Sequence, residues 1–241
     1  MKAGILAAGL GERLRDAGIA TPKALVRVGG RTLLYHALSA VAEAGAQEAV
    51  IGVNETDAES IQRALACEAP LIPVTLLRRS TASSLETLVF VAPHLRDGTP
   101  RSLVAMVDGV FEPGAAHGFG HEASSLGTMQ DEYEAEGLIG VTNRPDEDRP
   151  LRVAFDAERR IHAIGPGAES SPYSTAGLYL LPERAFALAP SALASGLGAL
   201  RAFLTLLVER GVRLRAHPLG HVVDVDRPDD VAAAECLARS A

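Results

Sequence analysis

Between Lys2 and Asp108, short apolar runs alternate with segments of helical periodicity, a rhythm that few folds accept. Residues 2–8 form a short apolar run broken by Gly9 and Gly11, as expected of a buried strand that runs into a loop. Residues 32–44 place Leu33, Leu34, Ala37, Leu38 and Val41 at helical spacing, and Gly45 ends the pattern. Residues 49–53 read as the next strand, and 57–66 as a helix with Thr56 as its cap and Glu59 three residues on. Residues 74–77, 83–95 and 102–107 continue as strand, helix and strand, the last ending on Asp108. This order predicts a mainly parallel sheet with helices on both faces. Ligands of such sheets bind in the loops at the strand C-termini.

Beyond Asp108 the pattern loosens. A helix is expected over 114–125, strands over 138–142, 151–155, 160–164 and 175–181, and a polar turn over 143–150. A helix over 198–210, a strand over 213–217 and a helix over 228–239 close the chain. With no internal repeat or linker composition, a single domain spanning 1–241 is expected.

The net charge of −7 argues against a broad nucleic-acid surface, so any bound phosphate must be held by a few well-placed groups. Cys67 and Cys236 form no CxxC pair and read as buried small apolar residues, not as a disulfide or zinc framework. The N-terminal apolar run is too short for a signal peptide and no stretch approaches a membrane span, so a cytoplasmic enzyme is expected.

Gly9 and Gly11 follow the first strand directly, where backbone N–H groups can approach phosphate oxygens with no Cβ in the way. Arg13 adds a planar bidentate donor, and Lys23 a mobile point charge after a rigid Thr-Pro step. Two rival phosphate motifs fail. A dinucleotide fingerprint needs a glycine where Leu14 stands, and a short turn into a helix where some twenty residues intervene before Thr32. A P-loop needs a closing Gly-Lys-Ser/Thr, which is absent.

The stretches Ile5 to Leu14 (ILAAGLGERL) and Thr21 to Leu34 (TPKALVRVGGRTLL) resemble the signature of the sugar-nucleotidyltransferase (nucleotidyl-sugar pyrophosphorylase) superfamily. The resemblance implies a three-layer α/β/α Rossmann-like fold of the glycosyltransferase-A-like kind, with a mainly parallel mixed sheet. It implies an NTP-binding part at about residues 1–112 and an acceptor-binding part at about 113–241. Leu6, Ala7, Ala8, Gly9, Gly11, Arg13 and Lys23 would hold the nucleotide, with Arg13 and Lys23 acting in catalysis. Ser80, Thr81 and Ser83 lie where relatives frame the nucleobase, although a helix N-cap explains a Ser/Thr cluster equally well.

Transfer from an NTP needs Mg²⁺, held through one or two carboxylates. Asp108 stands just past a buried strand and resembles the family's metal-binding aspartate. Asp224, in His221-Val-Val-Asp-Val-Asp226-Arg-Pro-Asp-Asp230, resembles its second ligand, with Asp226 the weaker candidate and Asp229 and Asp230 assigned to capping. Ser174-Thr-Ala-Gly177-Leu-Tyr179 resembles the strand lining the acceptor pocket, so Thr175 and Gly177 are expected there, Thr175 replacing an asparagine. Many members carry a second lysine before that strand. Here Arg160-Ile-His-Ala-Ile-Gly-Pro-Gly167 contains none, leaving Arg152, Arg159 or Arg160 as substitutes. His117 and His121 have the spacing of a helical metal pair but no adjacent third ligand, and read as packing or solvated side chains.

The expected reaction moves an NMP group from an NTP to a phosphorylated small molecule and releases pyrophosphate. A sugar 1-phosphate leads. Molybdopterin, phosphocholine, inositol phosphate or an amino-sugar phosphate remain open as acceptors, and so does a non-catalytic nucleotide-binding module. The expected partners are therefore the NTP and its acceptor, with neither nucleic acid nor membrane, and a homo-oligomer is compatible with the chain.

Overall fold

The computed structural model describes residues 1–9, 11–126, 136–144 and 150–239. The first half contains β1 (Lys2–Ala7), α1 (Glu12–Asp16), β2 (Arg27–Val28), β3 (Arg31–Thr32), α2 (Leu33–Glu43), β4 (Glu48–Val53) and α3 (Ala58–Glu68). Next come β5 (Val74–Arg78), α4 (Ser84–Val91), β6 (Arg101–Met106), β7 (Gly109–Phe111) and α5 (Ala115–Ser125). The rest is β8 (Gly137–Thr142), β9 (Val153–Phe155), β10 (Ile161–Ile164), β11 (Ser174–Pro182) and α6 (Glu183–Ala194). It closes with α7 (Leu200–Glu209), β12 (Leu214–Pro218), β13 (Val222–Asp224) and α8 (Pro228–Ala238).

Seven strands form one sheet in the order β12-β8-β11-β6-β1-β4-β5. Only β11 runs antiparallel to its neighbours, so the sheet is mixed but mainly parallel, as expected. Alternation along the central strands serves two cores. Ile5, Leu103, Ala105, Leu178 and Leu180 face one side with α2, α3 and α5, where Phe119 is fully buried. Leu6, Val104, Tyr179 and Leu181 face the other with α4, α6 and α7, where Phe203 is fully buried. Burying each such side chain contributes about 1.5–3 kcal/mol, enough to fix the strand faces. A third, smaller cluster of Leu14, Val26, Val28, Leu33, Val110, Val223, Val225, Ala234 and Leu237 lies beneath the loops. Among the described residues no helix is long and apolar enough to cross a membrane.

Several expectations need correction. The helix expected over 57–66 is α3, Ala58–Glu68, with Asp57 as its N-cap, while the Thr56 hydroxyl and N–H both go to Asn54 Oδ1. The helix expected over 83–95 ends at Val91 and tightens into a 3-10 turn at Ala92–His94, because Pro93 lacks the N–H a helix interior needs. A short helix, α1, occupies part of the span expected to be helix-free before Thr32. α6, whose interior holds Pro190, was not among the expected helices. Cys67 and Cys236 are exposed, on α3 and α8, and not buried. Of the expected turn at 143–150, residues 145–149 lie outside the described residues.

Candidate functional site

The site is assembled where β1, β6 and β11 lie side by side and their loops meet. After β1 the chain passes through Gly9 to Gly11, which takes φ +62° and serves as the N-cap of α1. A side chain at Gly11 would be strained in that conformation, and its Cβ would stand 3.0 Å from Lys23 Cβ. Gly11 therefore lies directly against Lys23. Leu14, 1% exposed, anchors α1 in the third cluster, and the buried Ala24 fixes the turn at Lys23–Leu25.

The acidic side of the site is built by a two-stranded ribbon. β7 pairs antiparallel with β13, placing Asp224 opposite Gly109, and the Val225 N–H donates to the Asp108 carbonyl at 3.0 Å. Asp230 then accepts from the backbone N–H groups of Asp226 (2.8 Å) and Arg227 (2.6 Å). This is the capping role expected of Asp230, and it also fixes the direction in which the chain presents Asp226. Residues far apart in sequence thus bring Asp108, Asp224 and Asp226 to one place.

Lys23 closes the two halves onto each other. Its Nζ donates to Asp108 Oδ2 at 2.7 Å and also to Asp226 Oδ1. Burial alone would push the ammonium towards its neutral form, but the two carboxylates outweigh that and hold its pKa above the ordinary lysine range. Arg13 Nη1 donates to Asp226 Oδ2 at 2.8 Å, yet its side chain is 65% exposed. A pair so exposed contributes no more than about 1 kcal/mol, so Arg13 can exchange it for another anion at little cost.

Two cavities meet at this cluster. The larger, of about 510 Å³, is lined by Leu6, Ala8, Gly9, Gly11, Arg13, Lys23, Thr81 and Ser83, with Asp108 and Asp226 at its floor. That volume lies within the roughly 300–1,000 Å³ of small-molecule sites. Two residues expected beside them stand apart. Ala7 is buried in the sheet opposite Val53, and the Ser80 hydroxyl is turned to Asn54 Oδ1 at 3.0 Å. Ser83 both lines the cavity and caps α4, accepting from the Glu86 N–H at 3.1 Å. The Thr81 hydroxyl bonds that of Thr87 at 2.6 Å.

The smaller cavity, of about 190 Å³, contains Thr175, Gly177, Asp108, Asp224 and Asp226. Gly177, at φ +73°, sits where the pairing of β11 with β8 changes register between Thr175 and Tyr179. Such an irregularity re-aims a side chain next to a site, and only glycine takes this backbone without strain. Ser84, Met106, Asp108 and Asp226 border both cavities.

None of the expected lysine substitutes lines either cavity. Arg152 donates to the Pro172 carbonyl, Arg159 to Glu122, and Arg160 pairs with Asp156. Arg201, which no motif signals, lines the smaller cavity from the first turn of α7. Asn54, 4% exposed, was equally silent in the sequence, and ties the loop after β4 to Ser80. His117 and His121 pack edge to face at 5.4 Å on α5, with neither lining these two cavities.

The donor set suits a hard divalent cation. Among the described residues no three metal-ligating side chains form a ready cluster, but Asp108, Asp224 and Asp226 offer carboxylate oxygens to one cavity. Mg²⁺ characteristically takes one or two protein carboxylates and completes its shell with water and substrate phosphates.

A family model, the MobA-like NTP transferase domain, matches residues 3–129, just over half of the chain. CMP-5'-(3-aminopropyl)phosphonate synthase of Streptomyces rubellomurinus is 31% identical over 190 residues, covering 76% of this chain and 28% of that protein. Mannose-1-phosphate guanylyltransferase catalytic subunit beta of Drosophila melanogaster is 36% identical over 73 residues, 30% of this chain and 20% of that protein. The chain thus spans less than a third of the length of these curated relatives. Among solved structures, the inositol-1-phosphate CTP transferase from T. maritima superposes with a TM-score of 0.78 at 20% identity, covering 99% of this chain and 95% of that one. A Bacillus anthracis structure described as a glucose-1-phosphate thymidylyltransferase gives 0.81 at 21% identity, covering 100% and 96%. At these identities the structural likeness speaks for the fold.

Proposed function

The chain belongs to the MobA-like NTP transferase family, and from that premise we propose that it moves a nucleoside monophosphate from an NTP to a small acceptor carrying a phosphate or phosphonate, releasing pyrophosphate. The observation that carries this reading is Lys23, held by Asp108 and Asp226 where the two cavities share a wall. One cavity takes the NTP and the other the acceptor, and the reacting atoms meet beside the Lys23 ammonium. The small volume of the second cavity favours a compact acceptor, and the phosphonate and sugar-phosphate relatives support that class.

An acceptor oxygen attacks the α-phosphorus of the NTP while the bond from that phosphorus to the oxygen bridging the β-phosphorus breaks. The acceptor phosphate has a second pKa of about 6, so it is already anionic near neutral pH and no strong general base is required. Catalysis rests on alignment and on charge stabilisation. The N–H groups of the Gly9–Gly11 loop and the exposed Arg13 hold the outer phosphates, and Lys23 meets the charge growing around the α-phosphoryl group. Asp108 with Asp224, and less directly Asp226, would hold Mg²⁺, whose contribution is to neutralise phosphate charge.

In this reading the chain is a single nucleotidyltransferase domain over residues 1–241. Residues 1–112 supply most of the NTP side and 113–241 most of the acceptor side, with Asp226 crossing to the former. Pyrophosphate release across a panel of NTPs and phosphorylated or phosphonylated acceptors tests it. One productive pair is the expected result, and turnover with none would leave a nucleotide-binding module instead.

A further inference from the structure

The smaller cavity is bordered by Asp108, Asp224 and Asp226, of which Asp108 and Asp226 are already paired with Lys23 from the side of the larger cavity. An anion placed there needs a cation of its own. Among the described residues that line it, Arg201 is the sole cation. Its place is fixed by bonds between two helix starts. The Leu200 N–H donates to Ser84 Oγ at 2.9 Å, and the Leu85 N–H donates to the Gly198 carbonyl at 3.0 Å. The start of α7, and Arg201 with it, is therefore held to the start of α4, where Ser84 borders both cavities.

A second polar group belongs to the same cavity. Thr175, 7% exposed, lines it too. A threonine hydroxyl can donate one hydrogen bond to an anion's oxygen. We propose that Arg201 binds the acceptor's phosphate or phosphonate group, with the Thr175 hydroxyl donating to the same ligand. Guanidinium suits this task because its planar donors engage two oxygens of one anion. Arg201 is then a binding residue that selects acceptors by their terminal anion.

The inference rests on the proposed transfer reaction, so two measurements keep their failures apart. With the productive NTP–acceptor pair, each substrate is varied for wild type, Arg201→Gln and Arg201→Lys. The acceptor KM should rise about tenfold or more in Arg201→Gln, the size of one lost charge-assisted contact. The NTP KM should stay within about twofold and Arg201→Lys should recover part of the loss. An unchanged acceptor KM, or equal rises in both KM values, overturns the assignment.

The second measurement needs no turnover. The methyl signal of Met106, which borders both cavities, is followed by NMR while methylphosphonate is added. Half-saturation should move at least about fivefold upward in Arg201→Gln and remain unchanged in Arg160→Gln, whose side chain pairs with Asp156 and lines neither cavity. No response in wild type, an equal response in Arg201→Gln, or the same shift in Arg160→Gln overturns the proposal. If no NTP–acceptor pair reacts, the reaction reading fails while this titration still decides the role of Arg201.

Discussion

Lys23 is the side chain that joins the glycine loop to the acidic side of the site. It is buried to 10% exposure and bonded to two carboxylates, so its charge is secure and its position narrow. Replacing it by alanine should lower kcat by about a hundredfold or more, the scale seen when one preorganised donor is lost. Circular dichroism should show the fold intact, since neither main core includes Lys23. Steady-state turnover near that of wild type would remove Lys23 from the chemistry. The cation was legible in the sequence because a Thr-Pro step before a lysine, set behind a glycine loop, is a local pattern. Its partners were only half legible. Asp108 follows a strand and announced itself, whereas Asp226 was the weaker candidate and proves to contact both Lys23 and Arg13.

Among the elements, the long and strongly periodic ones matched expectation. β1, α2, β4 and β6 each carry a pattern that one face or two can satisfy. The short ribbon of β7 and β13 did not, because three residues a side carry no periodicity, and it exists through pairing between distant segments. α6 escaped for the opposite reason: Pro190 argues against a helix, yet Ala185, Ala189 and Ala192 bury one face of it against the second core. The helix α7 was expected, but the place of Arg201 in the cavity was not, since only tertiary contact brings that turn there. At this scale Asp230 offers a test, because its carboxylate joins α8 to the segment presenting Asp226. Asp230→Ala should cost about 0.5–2 kcal/mol in urea unfolding, as for other lost helix caps. A midpoint equal to that of wild type would show the cap to be dispensable.

Across the whole molecule, distant parts are tied by a polar cluster away from the site. Glu122 on α5 accepts from Arg159 at 2.9 Å and pairs with His217 Nδ1 on β12 at 2.6 Å. Arg215 Nη1 lies 3.9 Å from its other oxygen. Burial alone would raise the Glu122 carboxyl, but His217 and Arg159 outweigh it and hold it below its ordinary value of 4.5. A depressed folded-state pKa contributes stability that is fully present above 4.5 and lost as pH falls through the folded value. Glu122→Gln should therefore destabilise the protein by about 1–3 kcal/mol at pH 7. Thermal melts should show the gap closing in acid, and a gap that stays constant with pH would contradict the linkage.

The same scale holds the central claim, that the two cavities form one transfer site around Lys23. It is tested most directly by offering the productive acceptor an NTP labelled with ³²P at the α-phosphorus, and separately one labelled at the γ-phosphorus. The α label should leave on the acceptor and the γ label should appear in pyrophosphate, both abolished in Lys23→Ala. Transfer of the γ label to the acceptor, or its release as inorganic phosphate, would contradict it.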